Sequence, residues 1–132
     1  ATGAPSSIAQ AAAEQAIIHA EPDIKKTNAM LKERLESALK GFATIPEFKM
    51  FRPDGAFYLW VDIKKALGKK NGTTPIVTSA DFCKILLEKY FVSTVPGEEF
   101  GHEGYLRLSF AIQAERMNEA IVRIKKMIAD MV

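Results

Sequence analysis

The sequence predicts an α+β fold: a small, mostly antiparallel sheet packed with helices, preceded by one further helix. Three observations carry that reading. Residues 105–110 alternate with a period of two, and residues 57–62 are an aromatic, β-branched run, both of which suit strands. The last stretch of the chain repeats apolar residues at helical spacing. The order of these patterns, helix, helix, strand, helix, strand, strand, helix, is that of helices layered on a small sheet.

At the start, Gly3-Ala4-Pro5-Ser6-Ser7 reads as a loop feeding a helix over residues 7–19, with Ser6 or Ser7 offering the oxygen that caps its first N–H groups. Glu21-Pro22-Asp23 then breaks and restarts the chain, because proline fits the first turn of a helix and not its interior. The second helix runs to about Thr44, with Ile24, Leu31, Leu35, Ala38, Leu39 and Phe42 on one stripe that needs a partner surface. After Pro46 the pattern turns to strands, and Pro53-Asp54-Gly55 is the turn that introduces residues 57–62. Gly68, Lys69, Lys70, Asn71, Gly72 and Pro75 make a loop, expected to be the most mobile surface segment. Thr78 and Asp81 form a helix-start box ahead of Phe82, Ile85, Leu86 and Tyr90. A short strand over residues 92–95, a glycine-rich loop and the strand over residues 105–110 follow. Met117, Ala120, Ile121, Ile124, Met127, Ile128 and Met131 mark one face of the closing helix, which should cover one side of the sheet.

The length of 132 residues suits one compact domain with an extra element attached. Apolar residues at 48% and charged residues at 26% exclude the disordered, collagenous and disulfide-stapled classes. The 18 basic and 16 acidic residues are spread along the chain for a net charge of +2, which argues against nucleic acid or an anionic membrane as partner. Residues 8–18 are Ala-rich, but no basic segment precedes them and Gln10, Glu14 and Gln15 interrupt them, so neither an export signal nor a membrane span is expected. The lone Cys83 has no internal disulfide partner and points to a reducing compartment, with the cytoplasm as the expected location.

Among residues that carry chemistry, Arg107 stands out by position. Leu106, Leu108 and Phe110 share one face of their strand, so Tyr105, Arg107 and Ser109 share the other. A guanidinium there, with no acidic neighbour in its stretch, presents a planar fork suited to a bidentate carboxylate. An edge-strand arginine in water, or paired with a glutamate, is the plainer alternative. The loop from Gly97 to Gly104 invites a phosphate-cradle reading, but Glu98, Glu99 and Glu103 would repel a phosphate and no helix start follows the glycines, which read instead as turn positions. His19 and His102 lack partners at metal-ligand spacing, so no metal site is expected. Cys83 beside Phe82 reads as core filler, Tyr58 and Trp60 as sheet packing, and Lys69-Lys70 as a solvated pair.

Several segments in fixed order carry a resemblance. They are Pro5-Ser6-Ser7-Ile8-Ala9-Gln10, Pro53-Asp54-Gly55-Ala56-Phe57-Tyr58, Val95-Pro96-Gly97-Glu98-Glu99-Phe100-Gly101, Gly104, and Tyr105-Leu106-Arg107-Leu108-Ser109-Phe110-Ala111. Together they resemble the C-terminal part of class I/II aminotransferases, fold-type I pyridoxal-phosphate enzymes of the aspartate aminotransferase type, from Gly3 to the end of the chain. The resemblance implies that residues 1–22 are a joining segment and helix from the end of a large domain, and residues 23–132 the small C-terminal domain. It implies that Arg107 binds the α-carboxylate of an amino-acid substrate, with Phe100 and Gly101 as candidates for lining the active-site mouth. Phe100 as a core plug is the competing possibility.

The family's cofactor-anchoring lysine lies upstream of the matching segment, and the first lysine here, Lys25, falls well past that place. The implied expectation is a piece of an enzyme that exchanges amino groups between amino acids and 2-oxo acids. Pyridoxal 5'-phosphate would be bound by the whole enzyme, a homodimer, with no cofactor, catalytic or metal-binding residue in this piece and no turnover by it alone. A start at Ala1 instead of Met fits a processed or excised piece. Two departures from the family pattern stand out: Gly3-Ala4-Pro5 replaces a more typical Ser-Asn-Pro, and the loop over residues 68–75 is longer. The alternatives are a related lyase or ring-forming synthase of the same fold, or a free-standing module that binds a partner through its helix stripe and has no chemistry.

Overall fold

A computed structural model of the chain describes residues 3–132. In order, the elements are α1 (Ser7–His19), α2 (Glu21–Phe42), β1 (Lys49–Phe51), β2 (Tyr58–Asp62), β3 (Lys70–Asn71), β4 (Thr74–Pro75), α3 (Ser79–Tyr90), β5 (Val95–Pro96), β6 (Tyr105–Ser109) and α4 (Ala114–Ala129). The chain divides into two units, the first ending at Lys32 and the second beginning at Glu33.

In the first unit α1 and α2 are separated by a single residue, Ala20, and Pro22 sits within the first turn of α2, where its missing N–H costs nothing. Ser6 occupies the N-cap position of α1 but makes no side-chain cap bond. The Gln10 amide instead donates to the Pro5 carbonyl at 2.9 Å, which corrects the expected serine cap. No residue of α1 is buried, and Ile8 and Ile17 are 82% and 86% exposed.

The second unit holds the sheet and the core. Its four strands lie in the order β1-β2-β6-β5, and every pair is antiparallel. Inward-facing Leu59 and Val61 of β2 and Leu106 and Leu108 of β6 are buried, together with Phe82, Ile85 and Leu86 of α3 and Met117, Ile121, Ile124 and Met127 of α4. Each such side chain stabilises the fold by about 1.5–3 kcal/mol through its removal from water. From α2, Leu35, Ala38 and Phe42 join this core, so the lower half of the expected stripe finds its surface. Gly41 lets α2 approach α4 closely, since a methyl group there would stand 2.5 Å from Cδ1 of Ile121. Arg34 donates to the Ala111 carbonyl at 3.0 Å, fixing α2 to the end of β6.

Three local expectations need correction. Residues 49–51 form β1, the edge strand paired with β2, a short element with no alternation long enough to read. Residues 68–75 are a tied hairpin and not a mobile loop. β3 pairs with β4, and Lys70 exchanges both backbone bonds with Val132, at 2.9 and 3.0 Å. Asn71 is buried, donating to the Tyr90 hydroxyl at 2.7 Å, and Tyr90 in turn donates to Asp130 at 2.8 Å. A buried amide satisfied in this way holds the hairpin down. The strand expected over residues 92–95 lies at Val95–Pro96, because Phe91 ends α3 in the left-handed region (φ 57°) and the chain regains a partner only where Val95 meets Arg107.

The start of α3 matches the pattern read from sequence. The Thr78 side chain accepts from the Asp81 N–H at 3.1 Å, while the Asp81 carboxylate accepts from the N–H groups of Thr78 and Val77 at 2.9 and 3.0 Å. These bonds, that from Thr78 foremost, hold Asp81 below the ordinary carboxyl value of 3.8. A folded-state value below the unfolded one means the cap contributes fully at neutral pH and fades as acid carries the pH down through the folded value. Asp81→Ala should therefore lower the unfolding free energy by about 1 kcal/mol in neutral urea titrations. The gap from the parent should narrow in acid, and a gap of constant size would remove Asp81 from the pH response.

Candidate functional site

The outward face of the sheet in the second unit collects the chemistry. β6 runs between β2 and β5, so Arg107 stands on an interior strand, opposite Trp60 on one side and Val95 on the other. It is half-buried, and among the described residues no carboxylate lies within ion-pair distance of it. Neither form of the plainer alternative, the edge position or the glutamate partner, matches this placement. Aromatic rings surround the guanidinium instead: its central carbon is 4.2 Å from the centroid of the Tyr58 ring and 4.5 Å from that of Phe100.

The register explains both neighbours. Tyr58 is paired with Ser109, two residues along β6 from Arg107, which makes it the diagonal neighbour on the same face and within reach of a long side chain. Phe100 arrives from the 3-10 turn Gly97–Phe100 that follows β5. Its ring is 44% exposed and meets Trp60 edge-on at 5.8 Å, so it lies on the outward face and does not plug the core. Trp60 stacks on Tyr105 at 5.6 Å with an interplanar angle of 14°, and Lys64 closes the row with its ammonium 4.5 Å above the Tyr105 ring and 3.1 Å from the hydroxyl. Sequence reasoning assigned Tyr58 and Trp60 to packing alone. Their shared parity was visible, but their diagonal relation to Arg107 required the register.

The loop that carries Phe100 is shaped by its glycines and tied by one acid. A Cβ on Gly97 would stand 2.3 Å from the His102 carbonyl oxygen, so only glycine allows the loop to fold back there. Gly101, at φ 75°, ends the 3-10 turn in an exposed position and presents Phe100 without offering a group of its own. Glu103 accepts from the Ser79 N–H at 2.6 Å, from the Gly104 N–H at 2.9 Å and from the Ser79 hydroxyl at 3.1 Å. Burial opposes the charge on Glu103, yet these donations, with Ser79 foremost, leave its carboxyl below the usual range. The hydrogen bond to Glu103 raises the carboxyl of Glu98. Glu103 and Glu98 are thus turned to the loop's own architecture, and Glu99 is exposed beside them. Three carboxyls and a glycine approach filled by the loop's own carbonyl offer a phosphate no cradle. Cys83 is buried, receives a hydrogen bond from the Thr94 hydroxyl at 3.1 Å, and has its thiol value pushed up by burial, as suits core filler more than a nucleophile.

The resulting site is a guanidinium with aromatic rings against it and no acid on its donor edges. Such a group can take a carboxylate in the two-pronged geometry that arginine favours, or another planar anion of similar shape. A guanidinium, always charged and without an acceptor, suits binding and orientation and not proton transfer.

Comparison with known proteins covers nearly the whole chain. The family model for aminotransferase class I and II matches residues 1–124. A probable aspartate/prephenate aminotransferase of Rickettsia conorii is 38% identical over 96% of this chain and 32% of its own length. An aspartate/prephenate aminotransferase of Nitrosomonas europaea is 35% identical over 97% of this chain and 33% of its own. The crystal structure of the aspartate aminotransferase from Rhizobium meliloti superposes with a TM-score of 0.92 at 32% identity, covering 100% of this chain and 33% of that one. The chain spans about a third of the length of the relatives it matches. With matches of this extent in both sequence and fold, the chain belongs to the class I and II aminotransferase family.

Proposed function

We propose that this chain is the C-terminal part of a pyridoxal-phosphate-dependent aminotransferase and that Arg107 grips the α-carboxylate of the amino-acid or 2-oxo-acid substrate. The observation that carries the reading is the half-buried guanidinium on an interior strand with no acid of its own chain against it. A half-buried guanidinium whose donors meet no acid of its own chain is open to an anionic ligand. The relatives carry the names of aminotransferases acting on aspartate and prephenate, which favours amino-group exchange over lyase or synthase chemistry.

Within this reading, residues 1–22 join the small domain, residues 23–132, to a large domain that belongs to the same enzyme. The wholly exposed α1, with Ile8 and Ile17 uncovered, is consistent with a further part of the protein lying over it. The whole enzyme acts as a homodimer in the cytoplasm, and no helix among the described residues is long and apolar enough to cross a membrane. Pyridoxal phosphate serves as the electron sink when bound. Its phosphate contacts and its lysine attachment are assigned to the large domain from the resemblance to the family, and the acid-bearing loop over residues 97–104 does not suit a phosphate. The task of this chain is orientation: a bidentate grip fixes the substrate so that its Cα–H bond can align for transfer of the proton. Phe100 lines the mouth of the site, and Gly101 shapes the turn that holds it there.

In the full-length enzyme Arg107→Ala should raise KM and lower kcat/KM, with a loss of about 3–5 kcal/mol for removal of one partner of a water-excluded ion pair. An unchanged kcat/KM would take Arg107 out of the site. The isolated 132-residue chain, mixed with pyridoxal phosphate and amino donors, should show no turnover in a coupled assay for 2-oxo acid. Measurable catalysis by it would contradict the assignment of the anchoring lysine to another domain.

A further inference from the structure

We infer that Tyr58 and Phe100 are positioning residues that aim Arg107, holding the guanidinium by its flat faces so that its N–H edges stay free for the incoming carboxylate. The inference rests on the carboxylate-binding reading of Arg107 and adds the device that makes the grip ready before the ligand arrives.

A free arginine side chain has rotamer freedom to lose on being fixed, and a site that must fix it during binding is weaker for it. A protein can order the side chain in advance in two ways. An acid of its own chain would hold it, but would occupy the same fork of donors the ligand needs and compete with it. Aromatic rings hold it through the face of the guanidinium and leave the edges open.

Here, among the described residues, the rings are in place against Arg107 and an acid partner is not. The central carbon of Arg107 lies within cation–π range of both rings, at 4.2 Å from Tyr58 and 4.5 Å from Phe100. Two acids of the Phe100 loop are committed elsewhere, Glu103 to Ser79 and Gly104, and Glu98 to Glu103, while Glu99 is exposed and forms no ion pair with Arg107. The rings are themselves supported. Trp60 meets Phe100 edge-on at 5.8 Å, and the Phe57 ring lies 4.4 Å from that of Tyr58. What matters at each position is the ring and not a hydroxyl, so phenylalanine and tyrosine are interchangeable there in this role.

Steady-state kinetics of the pyridoxal-phosphate-loaded full-length enzyme test this. Phe100→Leu and Tyr58→Leu should each raise KM for the amino-acid substrate about five- to tenfold while kcat changes far less, the size expected for loss of one cation–π contact. Phe100→Tyr and Tyr58→Phe should restore the parent KM. In an Arg107→Ala background the leucine substitutions should add nothing, since a residue that acts only through Arg107 has nothing left to act on. Both rings are at least partly exposed, so thermal unfolding should be unmoved and a packing defect is separable from a positioning one. Should Arg107→Ala itself leave KM unchanged, the carboxylate-binding reading fails. Should Arg107→Ala raise KM while the leucine variants are silent, or while they cost as much with Arg107 absent, the positioning inference alone is overturned.

Discussion

The site depends on the alternation of β6 between two neighbouring strands. Leu106 and Leu108 are buried on the core face, and that burial allows Arg107 only the opposite face. A slip of one residue in register would drive the guanidinium into the core and the leucines into water, which the apolar packing of β6 against α3 and α4 forbids. Pairing on both edges then sets the lateral surroundings: Trp60 directly across β2, Tyr58 on the diagonal and Val95 across β5. The position of the functional group is therefore a by-product of the hydrophobic pattern of its own strand.

How the charge is accommodated follows from the same geometry. An interior strand flanked by aromatic residues offers a guanidinium quadrupolar faces where other sheets would offer a carboxylate. The acid closest in sequence, Glu103 on the loop between β5 and β6, bonds to that loop and to the first turn of α3. This division leaves the Arg107 guanidinium without an ion-pair partner among the described residues. It also separates the two sides of the sheet, with apolar packing on the core face and the guanidinium among its rings on the outer one.

Much of this was legible in the chain itself, because the signals were periodic or local. The leucines of β6 and the methionines and isoleucines of α4 announce their faces, and Thr78 with Asp81 announces the start of α3 by a contact three residues long. The resemblance carried by the segments around Gly97 and Arg107 pointed to the family. What stayed hidden depends on pairing between distant segments. β1 is too short to alternate. The hairpin at residues 70–75 is held by Asn71, Tyr90 and the chain end at Val132, none of which a composition of Gly, Lys and Pro reveals. The grouping of Tyr58 with Arg107 likewise exists only once β2 and β6 are in register.

The Glu103 carboxylate has a mechanical consequence. One side chain, through bonds to the Ser79 and Gly104 amides and the Ser79 hydroxyl, rivets the first turn of α3 to the segment bearing Phe100. A rivet of that kind removes independent flapping from the segment's repertoire. A backbone shift of the loop at Glu103 therefore pulls on the first turn of α3, as a lever pulls on its pivot.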